Sequence, residues 1–121
     1  MKIELEDNEA VQIVPIEYRH EECPIDQIRD IMPLAEIMTQ LAEECTELAQ
    51  AALKFRRTLS NANPTPVGRK EAETKLLEEI ADVKLCLHVA GFEAVRHKIQ
   101  VNRTISAKAE RWLNRLLESV R

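Results

Sequence analysis

Two acidic patterns in the 121-residue chain repeat at the spacing of a helical turn: Glu43-Glu44 with Glu47, and Glu78-Glu79 with Asp82. Each lies within an apolar repeat. Leu34, Met38, Leu41, Cys45, Leu48, Ala52 and Phe55 recur at alternating steps of four and three, and so do Leu76, Ile80, Val83, Leu87 and Ala90. With Leu41 as zero and about 100° per residue, the first stripe spans about −40° to +60°. Glu44 then falls at about −60° and Glu47 at about −120°, while Glu43, at about 200°, faces solvent. With Val83 as zero, Glu79 falls at about −40°, Asp82 at about −100° and Glu78, further out, at about −140°. Each helix is predicted to carry an i, i+3 acidic pair at one margin of its buried face.

A carboxylate at a core margin loses hydration, which is costly unless it is paired or bound to metal. Four carboxylates converging from two packed helices repel one another unless a cation sits among them. Hard oxygen donors with no His or Cys in the pattern favour Mg²⁺ or Mn²⁺ over zinc. A single ExxE or ExxD is usually ordinary helix surface. Two such pairs at the margins of two apolar stripes point instead to a shared cation.

The elements that must position these pairs are helices. The first runs from Leu34 to Leu59, a turn-rich stretch follows from Ser60 to Gly68, and the second runs from about Arg69 to Ala90, with Gly91 as its stop. A third pattern passes through Val95, Ile99, Ile105, Ala109, Trp112 and Leu116, and Ile25 to Met32 forms a short helical turn between Pro24 and Pro33. The predicted fold class is an all-α bundle over residues 25–121. Residues 1–24 form an arm: Ile3 and Leu5 alternate with polar residues, Asp7-Asn8 offers a turn, and Val11 to Val14 is mostly β-branched, so a small hairpin and an extended arm are both open.

Composition narrows the function. With 45% hydrophobic and 31% charged residues and only 2 Gly, the chain is neither disordered nor collagenous, and its four aromatics argue against a β-sandwich. No apolar run is long enough for a membrane span, and the N-terminus lacks the layout of a signal peptide. A soluble, cytoplasmic protein is expected. Residues 1–50 hold 3 basic and 13 acidic side chains, and residues 51–121 hold 14 basic and 8 acidic. The net charge of −4 speaks against nucleic acid as the main partner, although the basic half could hold a small polyanion such as a triphosphate. Cys23, Cys45 and Cys86 are odd in number and lack zinc-ligand spacing, which fits a reducing compartment and a packing role.

The segments Leu41-Ala42-Glu43-Glu44-Cys45-Thr46-Glu47 and Leu77-Glu78-Glu79-Ile80-Ala81-Asp82-Val83 resemble the MazG-like all-α nucleoside triphosphate pyrophosphohydrolases, whose pattern is EExxE on one helix and ExxD on the next. Asn63-Pro64-Thr65-Pro66 is similar to the loop of short, single-domain bacterial and phage members, and the resemblance covers about residues 34–117. It implies Mg²⁺-dependent hydrolysis of an NTP or dNTP to the monophosphate and pyrophosphate, with Mn²⁺ as a substitute. By carry-over, Glu44, Glu47, Glu79 and Asp82 would bind one or more Mg²⁺; a carboxylate not fully committed to metal could serve as general base, and Glu47 is the candidate. Housecleaning of the nucleotide pool is the role it suggests.

Lys54 lies two turns beyond Glu47 on the same face and is a candidate phosphate contact. Lys108 and Arg111 resemble downstream basic positions of the family. Some relatives carry K-x-x-x-N there, whereas Lys108 is followed at that spacing by Trp112. The ordinary reading of all three is solvated helix surface. Glu17 and His20 match the Glu-x-x-His of di-iron bundles, but only once, and His88 and His97 are lone histidines in helical patterns. No P-loop, GxGxxG or GxSxG is present. Ile37, Ala49 and Leu53 widen the first apolar stripe, so a homodimer or homotetramer is expected. The alternative is a non-enzymatic helical interaction or regulatory module, which would leave the acidic pairs exposed and metal-free.

Overall fold

The computed structural model describes residues 3–5, 11–12, 23–59 and 68–120. Pro24 opens α1 (Pro24–Ile31). A proline there loses no hydrogen bond, because the first amides of a helix have no intrahelical acceptor, and its fixed φ suits the helix. Met32 and Pro33 are both extended; they end α1, and Pro33 caps the start of α2 (Leu34–Thr58). α3 (Arg69–Ala90) follows and ends at Gly91, whose φ of 90° lies in the left-handed region that a side chain disfavours. α4 (Val95–Ser119) is the last helix.

Among the described residues the fold is all-α apart from one short strand pair. β1 (Ile3–Leu5) and β2 (Val11–Gln12) are antiparallel, with Ile3 opposite Gln12 and Leu5 opposite Val11. The expected Asp7-Asn8 turn, Ile13-Val14, and all of the turn-rich stretch before Gly68 lie outside the described residues. Among the described residues no helix is long and apolar enough to cross a membrane.

The chain divides into two compact units, Met1–Ala90 and Gly91–Arg121. The division falls inside the single helical domain that the sequence reading draws over residues 25–121. In the first unit α2 packs along α3, and α1 packs on α3. The pair is antiparallel. Ile37, near the start of α2, shares a small apolar cavity with Leu85, Cys86 and Val89 near the end of α3, whereas Ala51 and Ala72 meet at the opposite end of the seam. The core of this unit is Ile37, Ala51, Ala72, Cys86 and Val89. Small alanines at one end let the two backbones approach closely, since interaxial distance follows the side chains at the contact.

Arg29 ties α1 to the end of α3. Its Nε donates to the Val89 carbonyl at 2.9 Å and its Nη2 to the His88 carbonyl at 2.6 Å, satisfying acceptors that a helix C-terminus leaves unpaired. Nη1 donates to Asp26 Oδ1 at 2.9 Å within α1.

α2 and α3 are both rolled relative to the stripes read from sequence. Ile37, Glu44, Leu48 and Ala51 face the seam, while Leu34, Cys45 and Ala52 are exposed; on α3, Ala72, Glu79, Cys86 and Val89 face inward and Ile80 outward. The roll is about 50° or more toward the acidic flank in each case. It carries Glu44 and Glu79 from the margin of the apolar face into the helix–helix seam.

Candidate metal centre

Glu79 is the most buried charged residue described, 1% exposed in the middle of α3. Its Oε2 accepts from Lys75 Nζ at 2.7 Å, one turn earlier on the same helix. Its Oε1 is buried and has no hydrogen-bond partner. Across the seam Glu44 of α2 is half-buried. Gln40 Nε2 donates to Glu44 Oε2 at 2.7 Å, and Glu44 Oε1 is likewise buried without a partner. Asp82, one turn beyond Glu79, is exposed at the rim. One oxygen from each of Glu44, Glu79 and Asp82 lies within 4.8 Å of the other two.

A buried carboxylate oxygen left without a donor is costly, since it has given up water for nothing. Three carboxylates so close also repel, and the Lys75 ammonium offsets only one charge. The donors are all hard oxygens, two of them buried and uncommitted, which fits Mg²⁺ or Mn²⁺. Cys86 lies behind the cluster, and its thiol is pushed up, first by burial and then by the charges of Glu44 and Asp82. Both causes favour the neutral thiol, as for a buried packing group.

Glu47 lies outside the three-carboxylate cluster and beside it. It is exposed, and it shares with Thr46, Lys54, Lys75 and Glu79 a groove of about 480 Å³. Its carboxyl is held above the ordinary value of 4.5, chiefly by Glu44, then by Glu79, then by partial desolvation and Asp82, while Lys75 opposes. Lys54 and Lys75 also line a second groove, of about 470 Å³, that begins on the other side of Ala51.

The first unit therefore brings together Glu44, Glu79 and Asp82, with Glu47 and Lys54 along the adjoining groove. Lys108 and Arg111 belong to the second unit, where both are exposed on α4. Lys75 is the residue that sequence reasoning passed over. Its signal was present: a lysine four residues before Glu79 is at the spacing at which helical side chains meet. Glu17 and His20 lie outside the described residues. His97 packs edge-on against Phe92 at 5.6 Å between ring centroids, as a packing histidine would, and the main-chain carbonyl of His88 accepts from Arg29.

Comparison with protein-family models, curated proteins and solved structures finds no match to this chain.

Proposed function

We propose that this chain is a MazG-like pyrophosphohydrolase that hydrolyses a nucleoside or deoxynucleoside triphosphate to the monophosphate and pyrophosphate with Mg²⁺, or Mn²⁺ in its place. The observation that carries the reading is Glu79: a fully buried carboxylate with an uncommitted oxygen, set between Glu44 and Asp82 at the mouth of a groove. The EExxE and ExxD resemblance supplies the reaction class. When bound, the cation neutralises triphosphate oxygens and acts as a Lewis acid at the α-phosphorus.

The chain's own residues divide the remaining work. Glu44, Glu79 and Asp82 hold the cation, and Glu47 borders it. Glu47 lines the groove beside the cluster, a position that suits a base taking a proton from the attacking water. Lys54 and Lys75 offer ammonium groups to the phosphates, and Lys108 and Arg111 are further phosphate contacts by resemblance. Three unpaired cysteines suit a cytoplasmic setting. A second copy of the chain is the proposed protein partner, and removal of surplus or modified nucleotides the proposed role.

A second reading, a non-enzymatic interaction module, draws on α4, none of whose side chains is buried. Incubation with the common NTPs and dNTPs plus Mg²⁺, followed by pyrophosphate detection, separates the two. Release from at least one substrate is expected, and no release from any of them overturns the enzyme in favour of the module.

A further inference from the structure

The Lys75–Glu79 pair joins an exposed side chain to a buried one. Lys75 is 59% exposed along its side chain and Glu79 only 2%, yet Nζ lies 2.7 Å from Oε2. Lys75 reaches this oxygen from the groove side, and with Lys54 it lines both grooves that meet at Ala51. We propose that Lys75 is an exchangeable internal counter-ion. It neutralises Glu79 while the site holds no cation, yields that carboxylate when a divalent cation enters, and then joins Lys54 to bind the polyphosphate part of the substrate. This inference rests on the metal-site reading above.

Charge and reach both support the exchange. An ammonium on Glu79 and a dication among Glu44, Glu79 and Asp82 compete for the same negative charge and repel one another. Glu79 is fixed by burial, so Lys75 is the partner that moves. A lysine ammonium is a hydrated point charge on a flexible stem, and from this position it returns to solvent or to the groove without crossing the core. In the groove it meets Lys54, which the structure leaves exposed. The groove also carries Glu43, Glu47 and Glu79, so it takes a polyanion only when a dication offsets these carboxylates and Lys54 and Lys75 are free to meet the phosphates.

The test is Mn²⁺ titration of the whole chain without nucleotide, followed by electron paramagnetic resonance, for the wild type, Lys75→Met, Lys75→Arg and Glu79→Gln. Lys75→Met should bind Mn²⁺ about tenfold more tightly, the factor that 1.4 kcal/mol gives. Its melting temperature should also rise more on Mn²⁺ addition than the wild type's, and Lys75→Arg should bind Mn²⁺ like the wild type. With Mn²⁺ saturating, Lys75→Met should bind a non-hydrolysable triphosphate analogue about tenfold more weakly. Equal or weaker Mn²⁺ binding by Lys75→Met, with wild-type binding intact, overturns the counter-ion exchange alone. Absence of Mn²⁺ binding in the wild type, or binding unaffected by Glu79→Gln, overturns the metal site and the exchange with it.

Discussion

Glu78 and Glu79 are adjacent in the chain and opposite in environment: the Glu78 side chain is 63% exposed, and that of Glu79 lies in the seam between α2 and α3, paired with Lys75. Lys75 is 4.0 Å from Glu78 as well, so the two glutamates share one cation at unequal distances. The pair gives a controlled comparison. Glu79→Gln keeps size and removes one charge and a strong ligand, and it should lower kcat/KM by at least ~10²-fold, about 2.7 kcal/mol of transition-state stabilisation. Glu78→Gln should change it by less than a few-fold. Pyrophosphate release measured for both variants checks this, and equal behaviour would remove the cluster from the mechanism.

A pH dependence follows from Glu47, whose carboxyl is raised chiefly by Glu44 and then by Glu79. A raised value means that the folded state holds the proton more tightly than the unfolded chain does. The associated stability is therefore fully present below 4.5 and is lost as pH rises through the higher folded value. Metal-free Glu47→Gln should melt above the wild type at pH 7, and the two should converge as pH falls toward 4.5. Thermal melts in chelator across that range test it, and a gap that widened on acidification would contradict the electrostatic account.

Arg29 should matter more to stability than its surface position suggests. Arg29→Met keeps the stem and removes the donors to the Val89 and His88 carbonyls. Loss of these charge-assisted bonds should cost about 1–3 kcal/mol. Asp26→Asn breaks only the exposed ion pair within α1 and should cost less than about 1 kcal/mol. Urea denaturation midpoints distinguish the two, and hydrogen exchange in Arg29→Met should rise first at the end of α3.

Self-association is expected from α4. Trp112 is 64% exposed, and Leu113, Leu116 and Leu117 are about as open. Side chains three and four apart share a helix face, so this is a continuous apolar strip of the kind that marks interaction surfaces. Light scattering at micromolar concentration should give a multiple of 13.9 kDa, and Trp112→Glu should shift the mass toward the single chain. A wild type that scatters as a 13.9 kDa particle would refute the oligomer.

The sequence by itself determined the elements. Pro24 and Pro33 fixed where α1 and α2 begin, because proline lacks an amide donor and holds φ in the helical range. The repeats of four and three residues placed α2 and α3 with ends within a residue, a looser apolar pattern from Val95 to Leu116 marked α4 without fixing its end, and Gly91 marked the end of α3 through the left-handed φ that only glycine takes freely. It also put carboxylates on the flank of each helix that turned out to face the other.

Tertiary packing alone decided how far each helix rolled. A periodic stripe specifies a broad face, and its centre depends on which residues let the partner helix come close. Ala51 and Ala72 sit buried in the seam, and α2 and α3 meet along the line of those alanines and not along Leu34, Cys45 and Ala52, although Ala52 is as small as Ala51. That roll buried Glu79 together with the oxygen that Lys75 reaches along the same helix, and it left Glu47 outside the three-carboxylate cluster. None of these follows from local spacing, because burial is a property of two surfaces in contact and the sequence of either helix describes only one.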